Sequence, residues 1–292
     1  EVAKNNGGKK KALASVLAGL AMVAAAGGMG TPVQAGSDLG NSAVNISPNN
    51  VPAGYGPNKV STNSVVVGYA NDTKTNVAGN GHVAYGFGNT ATEDTTTALG
   101  GGNKATGPAA TAVGSFNEAT GRNTVAVGNV AKANNTDNIA IGTYSEALTN
   151  GNDGFAVAMG SYSKANAHMA VGIGALANAT GTESTAVGAG SKATAKNSQA
   201  FGARNTASGQ NATAIGYGNT SKVEDTITMG TSNNANTGGG IAIGQNNLAD
   251  ATANGGRNAG STQIAIGRDN RAAREDTIAI GREAKAENDL SV

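Results

Sequence analysis

Short apolar runs recur along the chain from residue 65 onward, and each run ends in glycine. In the stretch TAVGSFNEATGRNTVAVG, residues 111–128, the run TAV precedes Gly114 and returns as VAV before Gly128. Eleven of the fourteen intervals between successive repeat glycines are 14 residues long, which is the signature of a repeat architecture. The fifteen repeat glycines are Gly68, Gly86, Gly100, Gly114, Gly128, Gly142, Gly160, Gly174, Gly188, Gly202, Gly216, Gly230, Gly244, Gly267 and Gly281.

Each apolar run has the composition of a short β-strand. Alanine stands two positions before the glycine in twelve units, and a small residue stands five positions after it in all fifteen. Because side chains alternate between strand faces, Ile139 and Ile141 point one way and Ala140 the other. Lys104 and Glu118 lie where a second, outer strand would face water. The pattern therefore predicts an all-β fold, a parallel β-solenoid of about fifteen coils with one 14-residue repeat per coil.

The two faces of the first strand receive different predicted roles. The bulky residues just before the glycine are predicted to fill the coil interior, namely Val113, Val127, Ile141, Val187, Ile215, Ile243, Ile266 and Ile280. The alanine row on the opposite face is predicted to meet the same row of other copies at the axis of a symmetric homo-oligomer. This row comprises Ala112, Ala126, Ala140, Ala186, Ala200, Ala214, Ala242, Ala265 and Ala279. A monomer with a solvated alanine face is the alternative.

The repeat units resemble a known family. Its motif has the form S-V-A-I-G with a later A-x-A, and the units that carry it best are NIAIG at 138–142, STAVG at 184–188 and TIAIG at 277–281. These units are similar to the head repeats of trimeric autotransporter adhesins of the YadA type, and the resemblance covers residues 65–292. The stretch AVNISPN at 43–49 also resembles the start of such a head, and EVAK at 1–4 resembles the end of an extended signal peptide.

The resemblance implies a fold, an assembly and a function. The expected fold is a left-handed parallel β-roll, with three chains around one axis, displayed on the outer membrane of a Gram-negative bacterium. The expected partners are host matrix proteins (collagen, fibronectin, laminin) or host surface glycoprotein receptors. Self-association with copies on neighbouring cells, giving autoaggregation or biofilm formation, is the alternative function. The sequence shows no neck motif, heptad stalk or membrane-anchor barrel.

The residues before the repeats divide into two segments. Residues 1–35 contain a Lys9-Lys10-Lys11 cluster, a short apolar run and a small-residue site ending at Ala35, which predicts the end of a secretory signal peptide. The apolar run is shorter than a membrane-spanning helix requires. Residues 36–64 carry three of the five prolines and are predicted to cap the solenoid. The chain is expected to be a fragment that ends inside a repeat.

Three intervals are longer than 14 residues and place insertions at 76–81, 149–154 and 250–262. Insertions in a solenoid bulge at the surface, where ligands often bind, although an insertion without any role is the simpler alternative. The candidate ligand-binding residues in these loops are Asn76, Asn80, Asn150, Asp153, Asn254, Arg257 and Asn258.

Composition argues against several other functions. The net charge of +1 gives no electrostatic case for nucleic acid, and the absence of cysteine removes disulfides, thiolate nucleophiles and Cys-ligated zinc. The two histidines, His82 and His168, have no recurring carboxylate neighbour, so no triad, metal site or cofactor site is predicted and the chain is interpreted as a non-enzyme. A hexapeptide β-helix acyltransferase and an ice-binding solenoid remain weaker alternatives, since neither the period nor the threonine pattern matches.

Overall fold

The computed structural model describes residues 44–46, 58, 64–73, 81–150, 154–250, 262–288 and 291. These residues form a parallel β-solenoid of about fourteen turns that contains strands and no helix. Within the described part of the chain there is accordingly no helix long and apolar enough to cross a membrane. The predicted all-β solenoid is confirmed, whereas the handedness of its coils stays a prediction. The leader predicted at 1–35 and nearly all of the cap segment lie outside the described residues.

One long strand in each coil belongs to a 16-stranded parallel sheet. Its strands are β1 (Val44–Ile46), β2 (Val65–Tyr69), β3 (Val83–Phe87), β5 (Thr97–Gly101), β7 (Thr111–Ser115), β9 (Val125–Asn129), β11 (Ile139–Ile141), β13 (Val157–Met159), β15 (Val171–Ile173), β17 (Thr185–Val187), β19 (Gln199–Ala203), β21 (Thr213–Tyr217), β23 (Ile227–Thr231), β25 (Ile241–Gln245), β27 (Ile264–Arg268) and β29 (Ile278–Arg282).

One two-residue strand in most coils belongs to a second parallel sheet of 14 strands. Its strands are β4 (Thr90–Ala91), β6 (Lys104–Ala105), β8 (Glu118–Ala119), β10 (Lys132–Ala133), β12 (Glu146–Ala147), β14 (Lys164–Ala165), β16 (Asn178–Ala179), β18 (Lys192–Ala193), β20 (Thr206–Ala207), β22 (Thr220–Ser221), β24 (Asn234–Ala235), β26 (Leu248–Ala249), β28 (Arg271–Ala272) and β30 (Lys285–Ala286).

The register of both sheets follows the repeat. Gly100 pairs with Gly114 in the long sheet, and Lys104 pairs with Glu118 in the short one. The repeat glycine is required because a Cβ on Gly114, which has φ of 120°, would overlap the carbonyl oxygen of Gly128 in the next coil. Each coil therefore stacks directly on the previous one, and Lys104 and Glu118 face solvent as predicted.

The prediction for the two faces of the long strand was wrong. Every alanine assigned to a trimer axis is at most 2% exposed in the isolated chain and lies inside its own coil: Ala112, Ala126, Ala140, Ala186, Ala200, Ala214, Ala242, Ala265 and Ala279. The residues assigned to the interior lie outside and are partly or fully exposed: Val113, Val127, Ile141, Val187, Ile215, Ile243, Ile266 and Ile280.

The reason is the small thickness of the coil. The alanines of the long strands form buried clusters with the alanines of the short strands, such as Ala119 and Ala133. Methyl groups meeting methyl groups bring the two sheets close together, so small residues fill most of the interior, and Val66 in β2 is the one branched apolar residue buried there among the described residues. The core is therefore built from alanine and from hydrogen-bonded polar residues at the corners.

Candidate functional site

One face of the solenoid is a long, uncharged apolar surface, which we call the apolar face. It consists of the outward residues one and three positions before each repeat glycine, and none of these thirty residues is charged in any of the fifteen coils. Ile280, Met229 and Ile173 are 63%, 42% and 37% exposed. At roughly 4.8 Å per strand, the face is about 70 Å long. An apolar surface of this extent is typical of a protein–protein interface.

The opposite face is polar and contains paired charges. The residue four positions after the repeat glycine alternates in sign over five coils, as Lys104, Glu118, Lys132, Glu146 and Lys164. The Nζ of Lys164 lies 2.9 Å from a carboxylate oxygen of Glu146 in the neighbouring strand. Such exposed pairs contribute little to stability but are well hydrated. The two faces therefore differ in character, since one is uncharged and apolar and the other is polar and hydrated.

An asparagine ladder lines the corner after the long strand. Asn233, buried three positions after its repeat glycine, donates through its side-chain nitrogen to Asn219 Oδ1 at 3.0 Å, Met229 O at 2.9 Å and Gly244 O at 2.8 Å. Its own Oδ1 accepts from the backbone and side-chain nitrogens of Asn247 at 3.0 and 2.9 Å. The ladder comprises Asn71, Asn89, Asn103, Asn117, Asn205, Asn219, Asn233, Asn247 and Asn270. It was not predicted, although the recurrence of asparagine at this position was visible in the sequence.

Replacing Asn233 with alanine is expected to destabilise its coil by about 2–4 kcal/mol, because several buried donors and acceptors lose their partners at once. Amide hydrogen exchange in β23–β26 measures the local effect, since solenoids need not unfold in a single step. The matched control is Asn234→Ala. Asn234 is the next residue, belongs to the outer strand, and has a side-chain oxygen without a hydrogen-bond partner. Equal exchange in both variants would contradict a structural role for the ladder.

His82 is fully buried at the corner before β3, at the position that Thr96 occupies in the next coil. Its Nδ1 lies 2.9 Å from Thr96 Oγ1, and that hydroxyl donates to the carbonyl oxygen of Glu93 at 3.0 Å. Thr96 therefore accepts from a protonated Nδ1. The His82 Nε2 has no partner, so protonating it would bury an N–H without an acceptor. Desolvation lowers the pKa of His82, against an opposing effect of the nearby Asp94 and Glu93 carboxylates.

The N-terminal coils are expected to lose stability as the pH falls below about 6.5, the pKa of an unfolded histidine. Because the pKa of His82 is lowered in the folded chain, the unfolded chain binds the proton more readily. The contribution of neutral His82 to the stability of the fold is therefore complete above pH 6.5 and is lost as the pH falls through the folded pKa. Hydrogen exchange of residues 83–101 at pH 7.5 and pH 5 measures this loss. His82→Thr should remove the pH dependence, and an unchanged dependence in that variant would contradict the assignment.

Of the seven candidate ligand-binding residues in the insertions, one lies among the described residues. Asn150 is exposed at the start of the second insertion. Asn76, Asn80, Asp153, Asn254, Arg257 and Asn258 lie outside the described residues, so their role stays a prediction. No group of three or more His, Asp or Glu residues that could hold a metal ion occurs in the described part of the chain. His168 is partly buried and makes an edge-on ring contact with Phe155, with the ring centroids 6.2 Å apart.

A comparison with protein families matches the repeats to one family model. The model of the YadA head domain repeat, which spans two copies of the repeat, matches residues 91–117, 119–145, 165–191, 179–203, 193–219 and 264–286. No curated protein sequence matches the chain. The matched segments begin and end within the solenoid described above, and the resemblance stated from the repeat motif is confirmed.

Proposed function

We propose that the chain is the adhesive head of a homotrimeric bacterial surface protein, since the model of the YadA head domain repeat matches six segments between residues 91 and 286. The observation that carries this proposal is the apolar face, which is too long and too free of charge to be left in water. The family implies assembly as a trimer. Three copies around one axis would cover the three apolar faces together.

In the proposed trimer the long sheets face the axis and the short sheets face outward. Residues such as Val113, Val127 and Ile141 then pack against two other chains, while the alternating lysines and glutamates of the short strands stay hydrated. This arrangement reverses the roles expected from the sequence but keeps the homotrimer. Each coil contributes only a few methyl and methylene groups, so the stability of the assembly comes from summing over about fifteen coils.

We propose that this rod presents its outward surface and its insertions to ligands at the bacterial outer membrane, after export through the predicted signal peptide. The ligand class is host matrix protein, with collagen, fibronectin and laminin as candidates, or a host surface glycoprotein. The insertions support this proposal because they interrupt an otherwise regular period without breaking the register: Gly244 and Gly267 still pair across a 23-residue interval.

Solid-phase binding of the purified chain to the three matrix proteins and to host glycoprotein receptors tests the ligand class. A variant in which the interval from Gly244 to Gly267 is shortened to 14 residues tests the longest insertion, and the unshortened chain is its control. Saturable binding that the shortened variant loses would support the proposal. Binding to none of these ligands, together with clumping of cells that display the chain, would replace host attachment with self-association.

A further inference from the structure

The two edges of the solenoid hold residues in the left-handed backbone region. The first edge consists of the residues two positions after each repeat glycine, and the second edge of the residues five positions before it. Phe116 and Tyr144 on the first edge have φ of 54°, and Met169 on the second edge also has φ of 54°. Each donates its backbone N–H to a carbonyl oxygen of the preceding coil, as Tyr144 does to Asn129 at 2.9 Å, so stacking fixes this conformation.

Large apolar residues occupy the first edge in only one block of five consecutive coils. They are Phe116, Val130, Tyr144, Tyr162 and Leu176, which we call the apolar strip. Elsewhere in the described coils the same edge holds glycine, alanine or a polar residue, such as Arg204 and Ser232. Large apolar side chains, aromatic and β-branched ones above all, are disfavoured in the left-handed region. Five in succession therefore require a compensating contact.

The isolated chain provides little of that contact. Tyr162 and Leu176 are 52% and 62% exposed. Tyr144 and Tyr162 stack on each other, with ring centroids 5.1 Å apart and planes inclined by 14°, which leaves their outer surfaces in solvent. The asparagine ladder is also interrupted in most of these coils. Ser163, for example, donates to the carbonyl oxygen of its own repeat glycine, Gly160, rather than to the next coil.

The second edge carries large apolar residues at the same height. Phe155 and Met169 lie there in the coils of Gly160 and Gly174, and they are 49% and 50% exposed. Their counterparts on the first edge of those two coils are Tyr162 and Leu176. At all other described positions the second edge holds glycine, alanine, threonine or a charged or amide residue. The two apolar patches therefore coincide in height and lie on opposite edges of the long sheet.

Because the two apolar patches lie at the same height, they can meet in a ring of identical chains. In a cyclic assembly each copy presents one patch to its neighbour and a different patch to the other neighbour, at the same level along the axis. Both edges border the apolar face, so they would be brought together by the proposed packing of that face. Identical coils alone would also allow the rods to slip past each other by one repeat, because each register buries similar surface.

We propose that the apolar strip of one chain packs against Phe155 and Met169 of a second copy, and that this edge contact fixes the axial register of the trimer. The proposal rests on the trimer proposed above. The partner is a second copy of this chain rather than a foreign ligand, because the chain itself supplies the complementary patch at the matching height.

A cysteine pair tests the geometry, since the chain contains no cysteine of its own. The variant combines Met169→Cys with Leu176→Cys, and each single substitution serves as a control. Within one chain these positions flank a strand and are separated by roughly 20 Å, too far for direct cross-linking. Treatment with a short bis-maleimide is expected to give a covalent trimer in the double variant and no covalent trimer in either single variant. Absence of that product in a chain that is trimeric by light scattering would overturn the edge contact.

Asparagine substitutions test the energetics, because asparagine tolerates the left-handed region better than tyrosine or leucine. Tyr144→Asn, Tyr162→Asn and Leu176→Asn together should weaken the trimer by about tenfold or more, although they relieve backbone strain. Arg204→Asn and Ser232→Asn, on the polar part of the same edge, should leave it unchanged. A triple variant that forms an equally stable trimer, or that loses only ligand binding, would overturn the inference. A monomeric wild-type chain would instead overturn the proposed trimer itself.

Discussion

Replacing Ala140 with glutamate is expected to unfold the coils around it, whatever the state of assembly. Ala140 is 0% exposed and belongs to the buried cluster that contains Ala133 and Ala147 of the facing short strands. A carboxylate there would have neither volume nor a partner, and burying an unpaired charge costs several kcal/mol. The expected result is loss of the β-sheet circular dichroism signal from the central coils and rapid proteolysis within them.

The control for this prediction adds the same charge outside the coil. Thr206→Glu places glutamate four positions after a repeat glycine, where Glu118 and Glu146 already occur. It should leave the dichroism signal and the protease resistance unchanged. Native-like dichroism and protease resistance in Ala140→Glu would show that the alanine row does not fill the coil.

Replacing both Ile141 and Val187 with glutamate is expected to separate the chains while the coils stay folded. Both residues lie on the apolar face and are partly exposed in the isolated chain, so their carboxylates can be hydrated in a monomer. In the proposed trimer the same substitutions would bring six carboxylates toward one axis, at a cost of several kcal/mol. Light scattering should show a mass reduced to one third, and circular dichroism should retain the β-sheet signal.

Lys192→Glu is the matched control for the second prediction. Lys192 lies in the same coil as Val187 but on the charged face. Its replacement should leave the trimer intact, and a monomeric Lys192→Glu chain would mean that the charged face takes part in assembly.

Most of the fold could be predicted from the glycine period. It predicted one coil per repeat, the parallel stacking and the opposite orientation of Ala140 and Ile141, because alternation along a strand is a geometric necessity. It did not predict which side faces inward. The expectation that the bulkier residue fills the core failed because the thickness of the coil was unknown.

A signal for the correct orientation was present in the sequence. The small residue five positions after every glycine, such as Ala119 or Ala133, lies on the second strand of the same coil. Two rows of small residues that face each other set a sheet separation that leaves little room for valine or isoleucine, and Val66 in β2 is the exception. The inward row therefore had to be the one whose members match the small row on the opposite strand.

Other features could not be predicted from residue type. Asparagine is common in turns, so its recurrence after the long strand did not distinguish a surface turn from a buried ladder. The left-handed backbone conformation at the two edges was even harder to predict. Phe116 and Tyr144 are of residue types that sequence rules place outside the left-handed region. Stacking of each coil on the previous one fixes their backbone in that region through N–H donation to the preceding coil.

The most direct test of the account compares two neighbouring substitutions, Ala140→Glu and Ile141→Glu, by light scattering and circular dichroism under one set of conditions. We expect Ile141→Glu to give folded chains that no longer associate fully, because Ile141 lies on the apolar face. We expect Ala140→Glu to give chains with disrupted coils, because Ala140 lies inside the coil. A folded, dissociated Ala140→Glu chain beside a disrupted Ile141→Glu chain would contradict it.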